Sequence, residues 1–193
     1  MRMRIPWGSG SWLHPPQSVD VIDDKLVIRT ADQSDFWNRT GHGLTTYSGH
    51  ALLRELPPDS AMEVEFSARW THEFDQAGLF LHADKEHWVK TGIEYADGVL
   101  GLGAVVTNGQ SDWSAGNVHE WMEAKIRVRI SRTKEVITIR ARSGDEPWRF
   151  VRLAPIDPGL EWSAGPFAAS PTRSDLKVTF HVWEARSCDT KLL

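Results

Sequence analysis

The chain has 193 residues, 40% of them hydrophobic, and no linker, charge block or low-complexity tract divides it, so one domain over residues 1–193 with one substantial core is expected. A formal charge of -4 lacks the field that neutralises a phosphate backbone, and no stretch approaches the ~20 apolar residues of a membrane span, so neither nucleic acid nor a membrane is an expected partner. The single cysteine, Cys188, excludes an intrachain disulfide framework and a zinc site built on several thiolates; with no apolar run of signal-peptide length, a soluble cytoplasmic protein is the expectation, and the NRT triplet at Asn38 is a chance sequon.

In chain order, strands are expected over Lys25–Thr30, Ala51–Glu55, Ala61–Trp70, Gln76–Ala83, His87–Tyr95, Val99–Thr107, Ala124–Arg132, Val136–Arg142, Arg149–Leu153 and Leu176–Glu184. The connectors carry turn chemistry: PPD at Pro57, ADKE at Ala83, ADG at Ala96, NGQSD at Asn108, SGDEP at Ser143 and DPG at Asp157. No helical period of convincing length occurs, and at most a single helical turn is expected near Leu160–Ala164. Many short strands with such turns predict an all-β sandwich of two antiparallel sheets.

Alternation separates the faces. Val64, Phe66 and Ala68 point inward with Glu63, Glu65, Ser67 and Arg69 outward; Ile126, Val128 and Ile130 inward with Arg127 and Arg129 outward; Ile137 and Ile139 inward with Thr138 and Arg140 outward. In the last strand Val178, Phe180 and Val182 are assigned inward, and Thr179, His181 and Trp183 outward. The central strands differ, because Ala77, Leu79 and Leu81 face one way while Gln76, Phe80 and His82 face the other, so the second face of that sheet is expected to be covered or grooved.

Several residue sets bear on chemistry. Lys90 and Glu94 flank Gly92 in WVKTGIEY, so the three share a face and the glycine leaves a gap between opposite charges that a hydroxyl-rich ligand could fill, with Gln76 on a neighbouring strand; an ordinary same-face ion pair is the alternative. Ten tryptophans exceed what turns and surfaces need, so many are structural, while Trp37, Trp88 and Trp113 sit among polar neighbours as possible stacking platforms. Glu63 and Glu65 form the one same-face carboxylate pair of the kind glycoside cleavage needs, but MEVEFSARW lacks the middle Asp and third acid of an E-x-D-x-x-E strand. The histidines form no HExxH or HxH pattern, so no metal or other cofactor is expected. G-L-G in GVLGLGAVV precedes a strand and not a phosphate-cradling helix.

The DFW at Asp35, SGHALL at Ser48, FDQAGLFLHAD, WVKTGIEYADG and VVTNGQSDWS together resemble the regulation-of-enolase-like family, domain of unknown function 1349, over roughly Trp12 to Trp183. The resemblance implies a concanavalin A-like lectin/glucanase sandwich (jelly roll) with a concave groove, and no known reaction. The leading expectation is a carbohydrate- or sugar-derivative-binding domain, monomeric or homodimeric, whose concave sheet uses Gln76, Lys90 and Glu94 for hydroxyls and Trp37 or Trp113 for ring stacking. Phe80, His82 and Asp112 would line the same groove, and Arg127 or Arg129 would join for an anionic ligand. Two alternatives stay open: a glycoside-processing enzyme with Glu94 as acid or base, Lys90 as its electrostatic partner, and Glu65, Asp112 or His82 as second group; and an interaction protein for a metabolic enzyme such as enolase.

Overall fold

The computed structural model describes residues 2–190. Its strands are β1 (Arg2–Arg4), β2 (Ser11–Leu13), β3 (Ser18–Ile22), β4 (Lys25–Arg29), β5 (Phe36–Asn38), β6 (Thr45–Tyr47), β7 (His50–Glu55), β8 (Ser60–Ala68) and β9 (Gln76–His82). They continue with β10 (His87–Ala96), β11 (Val99–Asn108), β12 (Gln110–Asn117), β13 (Ile126–Arg132), β14 (Val136–Ser143), β15 (Arg149–Pro155), β16 (Ser163–Ala169) and β17 (Lys177–Ser187). Short 3₁₀ turns occur at Trp7–Ser9 and His119–Trp121, and Leu160–Ala164 holds no helix but leads into β16.

Two antiparallel sheets pack face to face. An 8-stranded sheet has the order β15-β14-β13-β8-β17-β4-β3 with β1 also paired to β17, and a 7-stranded sheet has the order β12-β11-β10-β9-β16-β7-β2. The inward residues of β8, β13 and β14, Val64, Phe66, Ile126, Val128, Ile130, Ile137 and Ile139, are fully buried against Ala77, Leu79 and Leu81 of β9, as their alternation requires. The ADG turn closes β10 onto β11 with positive φ at both Asp97 and Gly98, the conformation of a two-residue type I′ hairpin. Asp23 and Asp24 do the same between β3 and β4.

The inward assignment fails at one place. The register of β17 on β8 shifts between Phe180 and Val182, so His181 is an extra residue, Val182 sits opposite the outward Glu65, and Trp183 sits opposite the inward Val64. A β-bulge therefore inverts the parity, and Trp183, assigned outward from alternation, is fully buried in the core and stacked 6.0 Å from Trp7. The outward arginines are likewise not a solvated face. Arg129 Nε donates to Glu63 at 2.8 Å and Arg129 Nη1 to Asp189 at 2.7 Å, Arg127 Nη2 donates to Glu65 at 2.8 Å, and Arg186 Nη1 donates to Glu63 at 2.6 Å. Arg129 also stacks on Trp148, 4.1 Å from the ring centroid. Burial alone would raise the Glu63 carboxyl, yet hydrogen bonding to Arg186 and the charge of Arg129 outweigh it and hold Glu63 below the usual carboxylate range.

A second apolar cluster lies on the far face of the 7-stranded sheet. Phe80, Trp88, Val105, Phe167 and Ala51 are covered there by Phe36, with Trp37 and Tyr47 of the β5–β6 hairpin packed alongside. Phe36 stacks on Phe80 with ring centroids 4.2 Å apart. This is the covered second face expected from the bulk on both parities of β9, and the hairpin is the cover.

Candidate functional site

β10 pairs residue for residue with β9 and β11, and β11 with β12, without a register shift, so the far face of these strands is a lattice of rows. One row is Gln76, Glu94, Gly101 and Asn117; the next is Gly78, Gly92, Gly103 and Ala115; then Phe80, Lys90, Val105 and Trp113; then His82, Trp88, Thr107 and Ser111. Lys90 and Glu94 thus share the face with Gln76, and no bulge disturbs them.

The row between Lys90 and Glu94 is nearly bare. A Cβ on Gly92, whose φ is +147°, would lie 2.3 Å from the Ala77 carbonyl oxygen, and one on Gly78 would lie 2.0 Å from that of Thr91. Close backbone approach therefore demands glycine at these positions, and the result is a trough with charged side chains on either bank.

Asp35 completes the polar floor. Its backbone carbonyl accepts from Ser48 N at 2.8 Å and Gly49 N at 2.9 Å, which fixes the turn before β5 and aims the side chain at the sheet. Lys90 Nζ donates to Asp35 Oδ1 at 2.9 Å and to Gln76 Oε1 at 2.8 Å, and Gln76 Nε2 donates to Asp35 Oδ1 at 3.1 Å. Lys90 is buried and Asp35 nearly so, with side-chain exposures of 5% and 20%. Above this triad opens a groove of about 420 Å³, walled by Trp37, His42 and Leu44 of the hairpin, by Phe74 and Pro171, and by Trp113. Trp37 is held by donation from Nε1 to the Thr40 carbonyl at 2.9 Å, and Phe74 takes a positive φ of 62° while donating its N–H to Tyr95 O at 2.6 Å.

Glu94 stands apart from the triad. It lines the groove, and among the described residues its carboxyl makes no hydrogen bond or close ion pair. Burial pushes its pKa up, the nearby Lys90 charge opposes this, and Asp35 reinforces it. The groove thus offers a half-buried carboxyl acceptor with no protein donor among the described residues, its pKa pushed up by burial.

Other residues singled out from the sequence lie elsewhere. Phe80 faces the groove side but is wholly covered by Phe36. His82 lies under the hairpin, hydrogen-bonded through Nε2 to the Tyr47 hydroxyl; burial lowers its pKa and raises that of Tyr47 to about 12. Asp112 has the opposite parity, opposite Val106, and pairs with Arg152 Nη2 at 3.0 Å. Glu63, Glu65, Arg127 and Arg129 belong to the other sheet, so they contribute nothing to this groove. Asp35, Leu44, Phe74 and Pro171 were not singled out from the sequence, and His42 was weighed there only as one of the scattered histidines; the DFW triplet, an acid immediately before an aromatic strand, was the one available hint. Among the described residues no cluster of three or more His, Cys, Asp or Glu side chains could hold a metal ion, and no helix is long and apolar enough to cross a membrane.

Comparison with known proteins agrees with this architecture. The chain is 37% identical over 178 residues to Regulation of enolase protein 1 of Saccharomyces cerevisiae, covering 90% of this chain and 87% of the relative. A crystal structure of a functionally unknown Saccharomyces cerevisiae protein superposes with a TM-score of 0.86 at 35% identity, over 95% of this chain and 98% of the other. A legume lectin-like domain from Entamoeba histolytica superposes with a TM-score of 0.64 at 9% identity, over 99% and 97% of the two chains. That last likeness is one of fold alone, and the fold is the concanavalin A-like β-sandwich the sequence resemblance implied. The model for the protein of unknown function family DUF1349 matches residues 12–188, and the chain belongs to that family.

Proposed function

We propose that this chain acts as a single carbohydrate-binding domain in the cytoplasm, monomeric or homodimeric, and that its ligand, a sugar or sugar derivative, occupies the groove over Asp35, Gln76, Lys90 and Glu94. The observation that carries the reading is the half-buried Glu94 carboxyl without a hydrogen-bond partner among the described residues, set in a trough with Trp37 and Trp113 on its walls. Sugar hydroxyls would donate to Glu94, accept from Lys90, and leave the apolar face of the ring to the indoles. Calorimetric titration with mono- and oligosaccharides tests this: saturable binding abolished by Glu94→Ala and weakened by Trp113→Ala is expected. Binding unchanged in both variants would refute the placement.

The raised Glu94 pKa favours a second reading, a glycoside-processing enzyme in which Glu94 is the general acid and Asp35, held by Lys90, the partner carboxylate. Under it, Glu94→Gln would remove turnover while leaving affinity within about threefold. The name of the Saccharomyces cerevisiae relative favours a third, a partner protein among metabolic enzymes. The exposed Leu44, Phe74 and Trp113 at the groove rim would then anchor that partner, and pull-down with purified enolase tests it.

A further inference from the structure

We infer that the groove receives one sugar unit, free or at the end of a chain, and does not accommodate the interior of a linear polysaccharide; this deepens the sugar-binding reading and rests on it. The far face of a 7-stranded sheet offers room for an extended chain, but here much of it is built over. The β5–β6 hairpin covers the His82, Trp88, Thr107 and Ser111 row: Asn38 N donates to Ser111 Oγ at 2.9 Å, Asn38 Nδ2 donates to Lys85 O at 3.0 Å, and Arg39 pairs with Glu86 at 3.0 Å. Phe36 beneath it is wholly buried in the second apolar cluster, so the hairpin is a fixed wall fastened by core packing and not a lid.

On the β16 side, Phe167 lies opposite Gly78 and borders the trough over the glycine row, and Pro171, just beyond Ala169 opposite Gln76, lines the groove at that end. Phe74 stands at the Gln76 end, its backbone held by Tyr95. The remaining side lies over β12, where Trp113 lines the groove but is 46% exposed and stands at its mouth. The interior of a polymer needs an entrance and an exit across a site, whereas walls on three sides leave one mouth. The space of about 420 Å³ is also at the small end for ligand sites.

The deciding experiment is calorimetric titration of the intact protein with methyl glycosides of neutral pentoses and hexoses and with their linear oligosaccharides up to the hexamer. Binding that is established by the first unit, and then changes by less than about threefold per added unit, is the expected result. Affinity that climbs about tenfold with each unit through the series would overturn the single-mouth inference while leaving the sugar site standing. Absence of binding across the whole series would overturn both.

Discussion

Replacing Lys90 by Met tests whether the floor of the groove is the desolvated charge cluster its geometry describes. The substitution keeps the aliphatic stem and deletes the ammonium, which leaves Asp35 Oδ1 with only the Gln76 amide and Gln76 Oε1 without its donor. Removing one member of a buried ion pair costs about 3–5 kcal/mol, because the remaining charge stays buried and unpaired. Asp35 retains 20% side-chain exposure, so water can reach it and the cost should fall to about 2–3 kcal/mol. For a chain of this length that corresponds to a drop in Tm of roughly 5–10 °C. Urea unfolding gives the number directly, as a lower midpoint at unchanged m value. Asp35→Asn on the Lys90→Met background should recover part of the loss, with a coupling energy above about 1 kcal/mol. A loss below about 0.5 kcal/mol, the range of exposed pairs, would show that solvent reaches the triad freely, and the argument from desolvation would fail with it.

Four further outcomes are expected. The Glu94 carboxyl has a folded pKa raised above its unfolded value of 4.5, so its stabilising contribution is complete below about pH 4.5 and is lost as pH rises through the folded pKa. Glu94→Gln should therefore melt above the wild type at pH 7, with the difference shrinking toward pH 4. His50 donates from Nδ1 to His14 O at 2.9 Å and accepts at Nε2 from Ala31 N at 3.0 Å, and burial lowers its pKa, as it does for His82. Stability from these neutral rings is present above the unfolded value of about 6.5 and is lost as pH falls below it through the folded pKa, so Tm should decline between about pH 7 and 5, less steeply in His50→Gln. Gly92→Ala should cost about 2 kcal/mol or more in urea unfolding, since its Cβ would meet backbone in a conformation that disfavours a side chain. Phe36→Ala should cost about 3–5 kcal/mol and expose the second apolar cluster, read as faster amide exchange in β5 and β6.

What could be read from the sequence was whatever depended on uninterrupted alternation. β8, β10, β13 and β14 present the faces their period-two patterns dictate, and Lys90, Glu94 and Gln76 meet as parity alone requires. Where a single residue interrupts the count, parity misleads: the bulge at His181 buried Trp183 and turned Val182 outward. β16 was hidden for a different reason. SAGPFAA has little β-branched character, and its Pro166 pairs with Leu79 in mid-sheet, where proline is rare. The hairpin that roofs the groove consists of two three-residue strands, too short to show any period, so Asp35, His42 and Leu44 came into the site through tertiary packing that no local pattern encodes.

The two sheets place their acidic residues differently, and the contrast separates the groove from the outer arginine network. Glu63 and Glu94 are both strand residues facing away from the main core, Glu63 buried and Glu94 half-buried. Glu63 is met by Arg127, Arg129 and Arg186, and its pKa is held down. Glu94 has Lys90 nearby, but that ammonium is already bonded to Asp35 and Gln76, and its pKa is pushed up. A carboxylate buried for stability acquires partners, as Glu63 has; Glu94, half-buried at the groove, has no protein donor among the described residues. Perturbed carboxyls of the second kind, when they line a cleft, mark sites where an incoming group supplies the missing hydrogen bonds. By that criterion the outer network of arginines and glutamates, despite its greater charge, is structural, and a ligand that donates hydroxyls to Glu94 should raise Tm in proportion to the logarithm of its concentration above Kd, an effect that Glu63→Gln, far from the groove, should leave intact.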